Sequence, residues 1–300
     1  MERIMSGLLP RGTQYGLALA DGSIWYIAAG DAVAVPVISW LAEVMGLCVA
    51  SPANSSFNGV VRHLIVSVKD QDPESFQRAP FAPLTLDGGG IVRCDLPRIH
   101  EYESMYLHAI RISTIVARET QIRGGILLHG ALAVRDGMGV ILAAPGGTGK
   151  TTASDRLPGP WRSLCDDTTL VVPDPQGNYR AHPWPTWSRF LFGGSGDGSW
   201  DVQRAVPLCG IFFLSRANFD RAEPVGAGKA LSLLVECAKQ GSMIMARGLC
   251  KEETRVLHLE RFDNLCSMVR VVPAFVLHIS LTGVFWREIE SALKLQSTKS

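Results

Sequence analysis

The sequence predicts an α/β protein, with a small α+β region in residues 1–100 and a larger domain in residues 101–300. The first observation is the stretch "VILAAPGGTGKTTASDRL", in which an apolar strand, a glycine-rich loop and a short helix follow one another. The second is that apolar runs of strand length alternate with helical patterns along the larger domain. Together they favour a fold in which the loop connects a strand of the sheet to a helix.

The first hundred residues are predicted to form a hairpin, a helix and a further strand. In "YGLALADGSIWYIAA" two strands flank Asp21-Gly22, and this dipeptide supplies the positive φ that a tight hairpin needs. "PVISWLAEVMGL" has apolar residues at helical intervals, and its helix is expected to begin at Pro36. "GVVRHLIVSVKD" alternates as a strand, whereas "DQDPESFQRAPFAP" and "LDGGG" are predicted as loops.

The larger domain is predicted to begin with a helix from Glu101 to Arg123, which Gly124-Gly125 ends. In "HPWPTWS", Pro183 and Pro185 oppose regular strand pairing, so this segment is predicted as a stiff loop or a sheet edge. "ILLHGALAV" and "VILAAP" are predicted as two strands of a hairpin with its turn at "RDGMG". The other predicted strands are "TTLVV", "YRAHPW", "CGIFFLSR" and "AFVLHISL", and the other predicted helices are residues 228–245 and "VFWREIESALKL".

Composition and charge argue against several classes of protein. The chain has 29 basic and 28 acidic residues and no basic stripe, so a nucleic-acid partner is not expected. The uncharged apolar stretch from Val271 to Trp286 contains a proline and is shorter than the roughly 20 residues that cross a bilayer, so no membrane span is expected. The beginning of the chain lacks the pattern of an export signal, which favours a cytoplasmic location.

The segment "APGGTGKT", residues 144–151, fits the Walker A pattern, with Ala144 where the pattern usually has glycine. Glycines in such a loop let successive backbone N–H groups point inward around an anion. Lys150 is expected to reach the β- and γ-phosphates of ATP, and the Thr151 hydroxyl to bind Mg²⁺. A structural glycine turn is the alternative. The residues predicted to bind nucleotide are Pro145, Gly146, Gly147, Thr148, Gly149, Lys150, Thr151 and Thr152.

An aspartate pair, Asp166-Asp167, ends the segment "WRSLCDD", and its first member lies 16 residues after Lys150. A strand that ends beside the loop would bring one carboxylate to Mg²⁺ and leave the other to accept a proton or to orient a nucleophile. The alternative is a solvent-exposed pair that opens a turn before "TTLVV".

His129 is the histidine whose position favours a functional role, because its strand is expected to pair with the strand before the loop. A histidine in an apolar strand is more often a hydrogen-bonded structural residue, so both interpretations stay open. The same two interpretations apply to His182. Trp184 and Trp187 are predicted either to wall a pocket or to cover the core.

The run "LLHGALAVRDGMGVILAAPGGTGKTTASDRL", followed by "LCDD", resembles the catalytic core of the HPr kinase/phosphorylase family. The resemblance covers roughly residues 125–217 and implies a mixed-sheet P-loop core of the HPr kinase/phosphoenolpyruvate carboxykinase-like type. It also implies that Lys150 binds phosphate and that Thr151 and Asp167 bind Mg²⁺. It further implies that Asp166 is the catalytic base and His129 an auxiliary catalytic neighbour.

Two other segments, "AHPWPTWS" and "PLCGIFFLSRA", are similar to the C component of the SynChlorMet cassette, a kinase-like protein of peptide-modification gene clusters. The resemblance therefore implies an ATP- and Mg²⁺-dependent kinase that phosphorylates a serine or threonine hydroxyl of a peptide. The bifunctional HPr kinases carry a Leu-Glu-x-Arg-Gly-Leu-Gly-Ile signature after the aspartate pair, which this chain lacks. Phosphorylase activity and HPr as substrate are accordingly not expected.

Two other functions fit the same residues. A nucleotide-binding partner or scaffold of a peptide-modifying enzyme would use the loop without transferring phosphate. Small-metabolite kinases place acids at a similar distance beyond the loop lysine, but those enzymes begin with their loop, whereas 143 residues precede Ala144 here. The sequence leaves a homo-oligomer open.

Overall fold

The computed structural model describes residues 12–50, 59–70, 85–87, 90–98, 104–144, 149–191, 198–247 and 249–297. These ranges contain two mixed β-sheets and seven α-helices. The strands are β1 (Gln14–Ala18), β2 (Ser23–Ala29), β3 (Cys48–Val49), β4 (Val60–Lys69), β5 (Thr85–Asp87), β6 (Ile91–Pro97), β7 (Ile126–Arg135), β8 (Met138–Ala143), β9 (Arg162–Cys165), β10 (Thr168–Pro173), β11 (Tyr179–Trp184), β12 (Val206–Arg216), β13 (Arg221–Pro224) and β14 (Ala274–Ile279). The helices are α1 (Val35–Met45), α2 (Ser104–Ile122), α3 (Lys150–Asp155), α4 (Ser188–Leu191), α5 (Ala227–Gly241), α6 (Lys251–Met268) and α7 (Trp286–Ser297), and a 3₁₀ helix spans Met243–Ala246. Within these ranges every helix is too short or too polar to span a lipid bilayer.

The first sheet has six strands in the order β3-β1-β2-β4-β6-β5. β1 and β2 form the predicted antiparallel hairpin, and Gly22 in its turn has a φ of 77°. β2, β4 and β6 run parallel to one another. α1 has Pro36 in its first turn, as predicted, and ends at Gly46, whose φ is 61°. The predictions of this hairpin, of α1 and of strand β4 are therefore confirmed.

The prediction of a loop at "LDGGG" is wrong for Leu86 and Asp87. These residues belong to β5, which pairs antiparallel with β6. Gly90 directly precedes β6 and has a φ of 81°, which favours glycine. The first predicted loop, residues 70–83, lies outside the described residues except for Asp70. Residues 88–89 of the second predicted loop lie outside them as well.

The second sheet has eight strands, and β7 lies at its centre. The order is β11-β10-β7-β8-β12-β14-β13, and β9 also pairs with β7. The first half of β7 pairs with β10, and the second half pairs with β8 and β9. β8, β12 and β14 run parallel, so their carboxyl ends lie at the same edge of the sheet, where α/β proteins commonly bind ligands. The glycine-rich loop follows β8 at this edge.

Two local predictions around β7 are confirmed. The β7–β8 hairpin turns at Asp136 and Gly137, which have φ values of 50° and 79° and so fit a two-residue turn. α2 is followed by Gly124, whose φ is 93°. The first residues of the predicted helix, 101–103, lie outside the described residues.

Strand β11 differs in part from the prediction made from its prolines: it lies at one end of the strand order, as predicted for a sheet edge, but it is regularly paired. Pro183 lies within the strand and pairs with Thr169 of β10, so the expectation that it prevents regular pairing is wrong. On its other side β11 pairs with β12 at Arg180 and Ala181. A proline is tolerated in a strand when its nitrogen faces away from the ladder. Pro185 follows the last residue of the strand.

A single buried cluster joins the two sheets. Trp25 and Leu64 of the first sheet belong to the same cluster as Leu128 of the second sheet. Trp40 of α1 also contacts Phe190, and their ring centroids are 5.3 Å apart. This core is formed from both sides of residue 100, and the division of the chain into two domains stays a prediction.

Candidate functional site

Lys150 begins α3, where the glycine-rich loop meets the helix. Gly149 precedes it with a φ of 106°, a conformation that glycine adopts without strain. The predicted nucleotide-binding residues Pro145–Thr148 lie outside the described residues. Thr151 and Thr152 are exposed in the first turn of α3. The described part of the loop therefore lies beyond the end of β8, at the edge of the sheet where the parallel strands have their carboxyl ends.

The amine of Lys150 is buried and bound to two groups of the protein. Its Nζ donates to the carbonyl oxygen of Ala144 at 2.9 Å and lies 2.8 Å from His129 Nε2. An ammonium group only donates, so the charged lysine donates to Nε2, and the ring proton of a neutral His129 is then on Nδ1. Burial lowers the pKa of Lys150, although the negative charge of Asp167 opposes part of this shift.

His129 connects the lysine to Asp167. Its Nδ1 lies 3.2 Å from Asp167 Oδ1, so the ring can donate to the carboxylate. Burial alone would raise the pKa of Asp167. The hydrogen bond from His129, together with the positive charge of Lys150, outweighs burial and lowers the pKa of this carboxyl. We call these three residues the Lys–His–Asp cluster.

The antiparallel pairing of β7 with β10 positions the last two members of this cluster. Thr168 lies opposite His129, and Asp167 directly precedes Thr168. The backbone N–H of Gly130 donates to the carbonyl oxygen of Asp167 at 2.7 Å, and Thr169 Oγ1 donates to the carbonyl oxygen of Gly130 at 2.9 Å. The separation of His129 and Asp167 is therefore set by the backbone of the sheet.

The carboxyl end of α5 packs directly on the part of β7 that carries His129. A Cβ atom on Gly241 would lie 2.8 Å from the backbone nitrogen of His129 and 2.8 Å from the carbonyl oxygen of Leu127. Real Cβ atoms do not approach backbone this closely, so glycine permits the contact. α5 ends at this glycine and a 3₁₀ helix follows, so the single helix predicted over residues 228–245 is wrong in its last turn.

Asp166 binds a different set of partners. Thr186 Oγ1 donates to its Oδ1 at 2.8 Å, and Arg189 Nη2 lies 2.8 Å from its Oδ2. Both partners belong to the segment that follows β11. The aspartate pair is therefore divided between the Lys–His–Asp cluster and an ion pair with Arg189.

A mostly apolar pocket of about 290 Å³ opens beside His129 and Asp167. Its walls come from α2, β7, β10, the end of β11 and the segment after it, the end of α5 and the 3₁₀ helix. Trp184 and Trp187 line it and also pack in or against the core cluster, so both interpretations of these tryptophans are confirmed. The 3₁₀ helix contributes residues 243–245. We refer to this cavity as the apolar pocket.

A second pocket, of about 610 Å³, lies against α3 at the carboxyl ends of β12 and β14. Gly149 and Thr152 line it on the side of α3. Arg156 donates to the carbonyl oxygens of Ser280 and Gly283 at 2.8 and 2.7 Å, which fixes the loop after β14. The described end of the glycine-rich loop, Gly149, thus borders this second pocket, and the next residue, Lys150, belongs to the Lys–His–Asp cluster.

His182, which lies in β11, has a structural role. Its side chain is buried, its Nε2 accepts from the backbone N–H of Ala20 at 3.1 Å, and its Nδ1 lies 2.6 Å from the carbonyl oxygen of Val202. Burial lowers the pKa of His182, which favours the neutral ring that this pattern of one donor and one acceptor requires. This histidine joins the two sheets and lies outside the candidate site.

Sequence reasoning missed Thr186, Arg189 and Gly241. Thr186 and Arg189 contact an aspartate that is 20 and 23 residues away in the chain, and no motif marks such a pair. Gly241 did carry a signal, because a glycine near the end of a helical pattern commonly ends the helix.

Fold and site together define a class: mixed α/β proteins in which a glycine-rich loop at a sheet edge leads into a buried lysine, histidine and aspartate cluster. The family model of the SynChlorMet cassette protein ScmC matches residues 92–294 of this chain, which is more than half of its length. The chain therefore belongs to the ScmC family. The matched range includes α2, the whole second sheet and the Lys–His–Asp cluster. No curated protein matches the chain.

Proposed function

We propose that the protein is an ATP- and Mg²⁺-dependent kinase with an HPr kinase-like P-loop core, which transfers the γ-phosphoryl group of ATP to a serine or threonine hydroxyl of a peptide. The observation that carries the proposal is the Lys–His–Asp cluster, in which the buried amine of Lys150 lies 2.8 Å from His129 at the end of the glycine-rich loop. The order of strand, loop and helix around this lysine fits a phosphate-binding loop. Membership of the ScmC family supports a peptide acceptor, because the sequence resemblance is to kinase-like proteins of peptide-modification clusters.

In this proposal residues 145–152 hold the phosphates of ATP through backbone N–H groups and the side chain of Lys150. When nucleotide binds, the amine of Lys150 would give up its hydrogen bond to the carbonyl oxygen of Ala144 and donate to phosphate oxygens instead. The charge of a buried ammonium is disfavoured in the protein alone, as its lowered pKa shows, and phosphate oxygens at hydrogen-bond distance would compensate for this cost. Nucleotide binding is thus expected to stabilise the charged lysine.

The side chains beside the loop fit a magnesium ion. Thr151 offers a hydroxyl oxygen, and Asp167 offers a carboxylate whose lowered pKa keeps it ionised at neutral pH. Mg²⁺ in nucleotide enzymes uses one or two carboxylates together with substrate phosphates and water, so this donor set is sufficient. When bound, the ion would neutralise the negative charge that develops on the phosphates during transfer.

Asp166 is the proposed proton acceptor. The acceptor oxygen forms a bond to the γ-phosphorus, the bond from this phosphorus to the bridging oxygen of ADP breaks, and the hydroxyl proton passes to the carboxylate. Thr186 and Arg189 each bind one oxygen of Asp166, which fixes the orientation of the carboxylate and leaves further lone pairs to accept the proton. His129 is the proposed auxiliary residue, since it orients Lys150 and Asp167 through its two ring nitrogens.

A second candidate function is a nucleotide-binding scaffold that transfers no phosphate. The ion pair of Asp166 with Arg189 is compatible with it, because a carboxylate with a purely structural role forms the same contact. A small-metabolite kinase has less support, since the pocket beside His129 is mostly apolar, whereas phosphorylated metabolites are polar.

Transfer is tested with γ-labelled ATP, Mg²⁺ and a pool of synthetic peptides that each contain one serine or threonine. Wild type should label the peptides, and Asp166→Asn should bind Mg-ATP but label them at least about 100-fold more slowly. Asp263→Asn is the matched control, because it removes an exposed carboxylate on α6 and should transfer like wild type. Tight binding of Mg-ATP without any label from wild type would support the scaffold and overturn the kinase.

A further inference from the structure

We propose that the apolar pocket binds a large apolar side chain of the acceptor peptide, next to the residue that is phosphorylated. This inference rests on the proposed function and adds a substrate class to it: serine- or threonine-containing peptides in which a leucine, methionine or aromatic residue lies close to the hydroxyl. Three properties of the pocket carry it, namely its position, its lining and its size.

The position of the pocket places its occupant beside the reacting groups. His129 and Asp167 belong to the pocket wall and also to the Lys–His–Asp cluster. His129 contacts Lys150 through Nε2, so the pocket and the phosphate-binding lysine meet on this one ring. A side chain in the pocket would therefore hold the neighbouring backbone of its peptide close to the site of transfer. Holding a reacting group in position in this way lowers the activation barrier.

The lining of the pocket selects apolar groups. Ile110, Leu127 and Trp184 contribute buried apolar surface. Among the described residues that line it, His129 and Asp167 are the ionisable ones, and they bind each other at 3.2 Å. A charged side chain in this pocket would lose its water, and the one carboxylate of the wall, Asp167, is already bound by His129 and assigned to Mg²⁺ in the proposed enzyme. The lost hydration therefore costs several kcal/mol by transfer scales. Burial of an apolar side chain is favourable at the same place.

The size of the pocket suits one side chain. About 290 Å³ lies at the lower limit of the roughly 300–1,000 Å³ of ordinary ligand pockets. Trp187 is held in place, because its Nε1 donates to Ser113 Oγ at 3.1 Å. Met243 and Met245 on the 3₁₀ helix line the pocket, and unbranched methionine side chains can adapt to different apolar shapes. We therefore expect selection for large apolar residues with tolerance of their exact shape.

A positional-scanning peptide library tests this inference. Each peptide has one central serine and one fixed neighbouring residue, and labelling by wild type is measured with γ-labelled ATP and Mg²⁺. At one fixed position, leucine, methionine, phenylalanine or tryptophan should give about tenfold faster labelling than glycine or lysine, the ratio expected when one large apolar side chain is buried. Equal labelling with every fixed residue, or a preference for charged residues, would overturn the inference.

Two variants alter the pocket without changing His129 or Asp167. Ser188→Trp fills the pocket from an exposed position, and Ile244→Lys places a cation in its wall. Both should remove the preference for apolar residues and leave Mg-ATP affinity unchanged. Val256→Lys is the matched control, because it adds the same cation at a residue of α6 that is 41% exposed, and it should keep the preference. A preference that survives both pocket variants would place its origin elsewhere and overturn the inference.

A binding measurement separates failure of this inference from failure of the kinase. If no library peptide is labelled, peptide kinase activity fails, and the pocket is judged by saturation-transfer NMR with N-acetyl-phenylalanine amide and N-acetyl-lysine amide as probes. The phenylalanine probe should bind to wild type and Val256→Lys, and Ser188→Trp should remove its signal. Binding of neither probe, or equal binding of both, would overturn the pocket assignment on its own.

Discussion

The carboxylates of Asp166 and Asp167 belong to two different hydrogen-bond networks, although the residues are adjacent in the chain. Asp167 Oδ1 lies 3.2 Å from His129 Nδ1, whereas Asp166 Oδ2 lies 2.8 Å from Arg189 Nη2. Changes in one network should therefore affect nucleotide binding, and changes in the other should affect phosphate transfer. This separation makes the two proposed roles experimentally distinguishable.

Arg189→Ala tests whether the orientation of Asp166 matters for transfer. The arginine side chain is 43% exposed, so its loss should not unfold the protein. We expect kcat for peptide labelling to fall about tenfold, because Thr186 alone then holds the carboxylate, while Mg-ATP affinity measured by calorimetry stays the same.

Arg255→Ala is the control for this change, because it removes an exposed arginine of α6 that pairs with Glu252 at 3.1 Å. Neither kcat nor Mg-ATP affinity should change in this control. Faster transfer by Arg189→Ala would mean that the ion pair restrains Asp166 instead of positioning it.

Gly241→Ala tests the close contact between α5 and β7. The added Cβ would lie 2.8 Å from the backbone nitrogen of His129, so the helix has to move away from the strand. We expect the free energy of unfolding, measured by urea denaturation, to fall by about 1–3 kcal/mol, as for other overpacked contacts.

Gly228→Ala on the same helix is the matched control. A Cβ at this position would meet no atom within 4 Å, so the substitution should be neutral or should stabilise the helix by up to about 1 kcal/mol. Equal stability of the two variants would contradict the packing described for Gly241.

His108 should make the protein less stable in acid. It is 3% exposed on α2, and burial, followed by the charge of Arg111, lowers its pKa to about 4. Between pH 6.5 and 4 the unfolded chain binds a proton that the folded chain does not bind, so the free energy of unfolding falls as the pH falls. Over the whole window this amounts to about 3 kcal/mol, since one pKa unit corresponds to about 1.4 kcal/mol.

Urea denaturation at pH 7, 5.5 and 4 measures this effect. His108→Leu should flatten the dependence on pH, whereas His258→Leu, at an exposed position of α6, should keep most of it. A slope that is the same in wild type and in His108→Leu would show that His108 does not titrate in this way.

Sequence patterns predicted the parts of the fold that depend on residues close together in the chain. The turns at Asp21-Gly22 and Asp136-Gly137 were predictable because few residue types readily adopt the positive φ that a tight hairpin requires. α6 was not predicted. Its buried side chains include Arg261, whereas Phe262 beside it is exposed, so no apolar stripe marks the helix.

The beginning of α6 lacked the usual signal as well. The N-cap is Cys250, whose Sγ accepts from the backbone N–H of Glu253 at 3.5 Å, and the side chain of Glu253 accepts from the backbone N–H of Cys250 at 2.8 Å. This is a capping box in which cysteine replaces the usual serine or threonine. Sequence rules that expect an oxygen at this position do not find it.

The candidate site was predictable to the extent that one motif spans it. Lys150 and Asp167 stand out by their spacing from the glycine-rich loop, and the structure brings both to His129. The partners of Asp166 were not predictable, because Thr186 and Arg189 reach it only through the path of the chain after β11. Contacts of this kind depend on tertiary packing and leave no local pattern.

Isothermal titration calorimetry of Mg-ATP with Lys150→Ala bears most directly on phosphate binding by the glycine-rich loop. Lys229→Ala is the matched control, since Lys229 also follows a glycine in the first turn of a helix but is exposed. Thermal unfolding first establishes that both variants are folded. We expect Lys150→Ala to weaken Mg-ATP binding at least about tenfold, the loss expected for charged hydrogen bonds of about 1.5–3 kcal/mol, and Lys229→Ala to bind like wild type. Unchanged affinity in folded Lys150→Ala, or no binding by wild type, would contradict a phosphate-binding role for this loop.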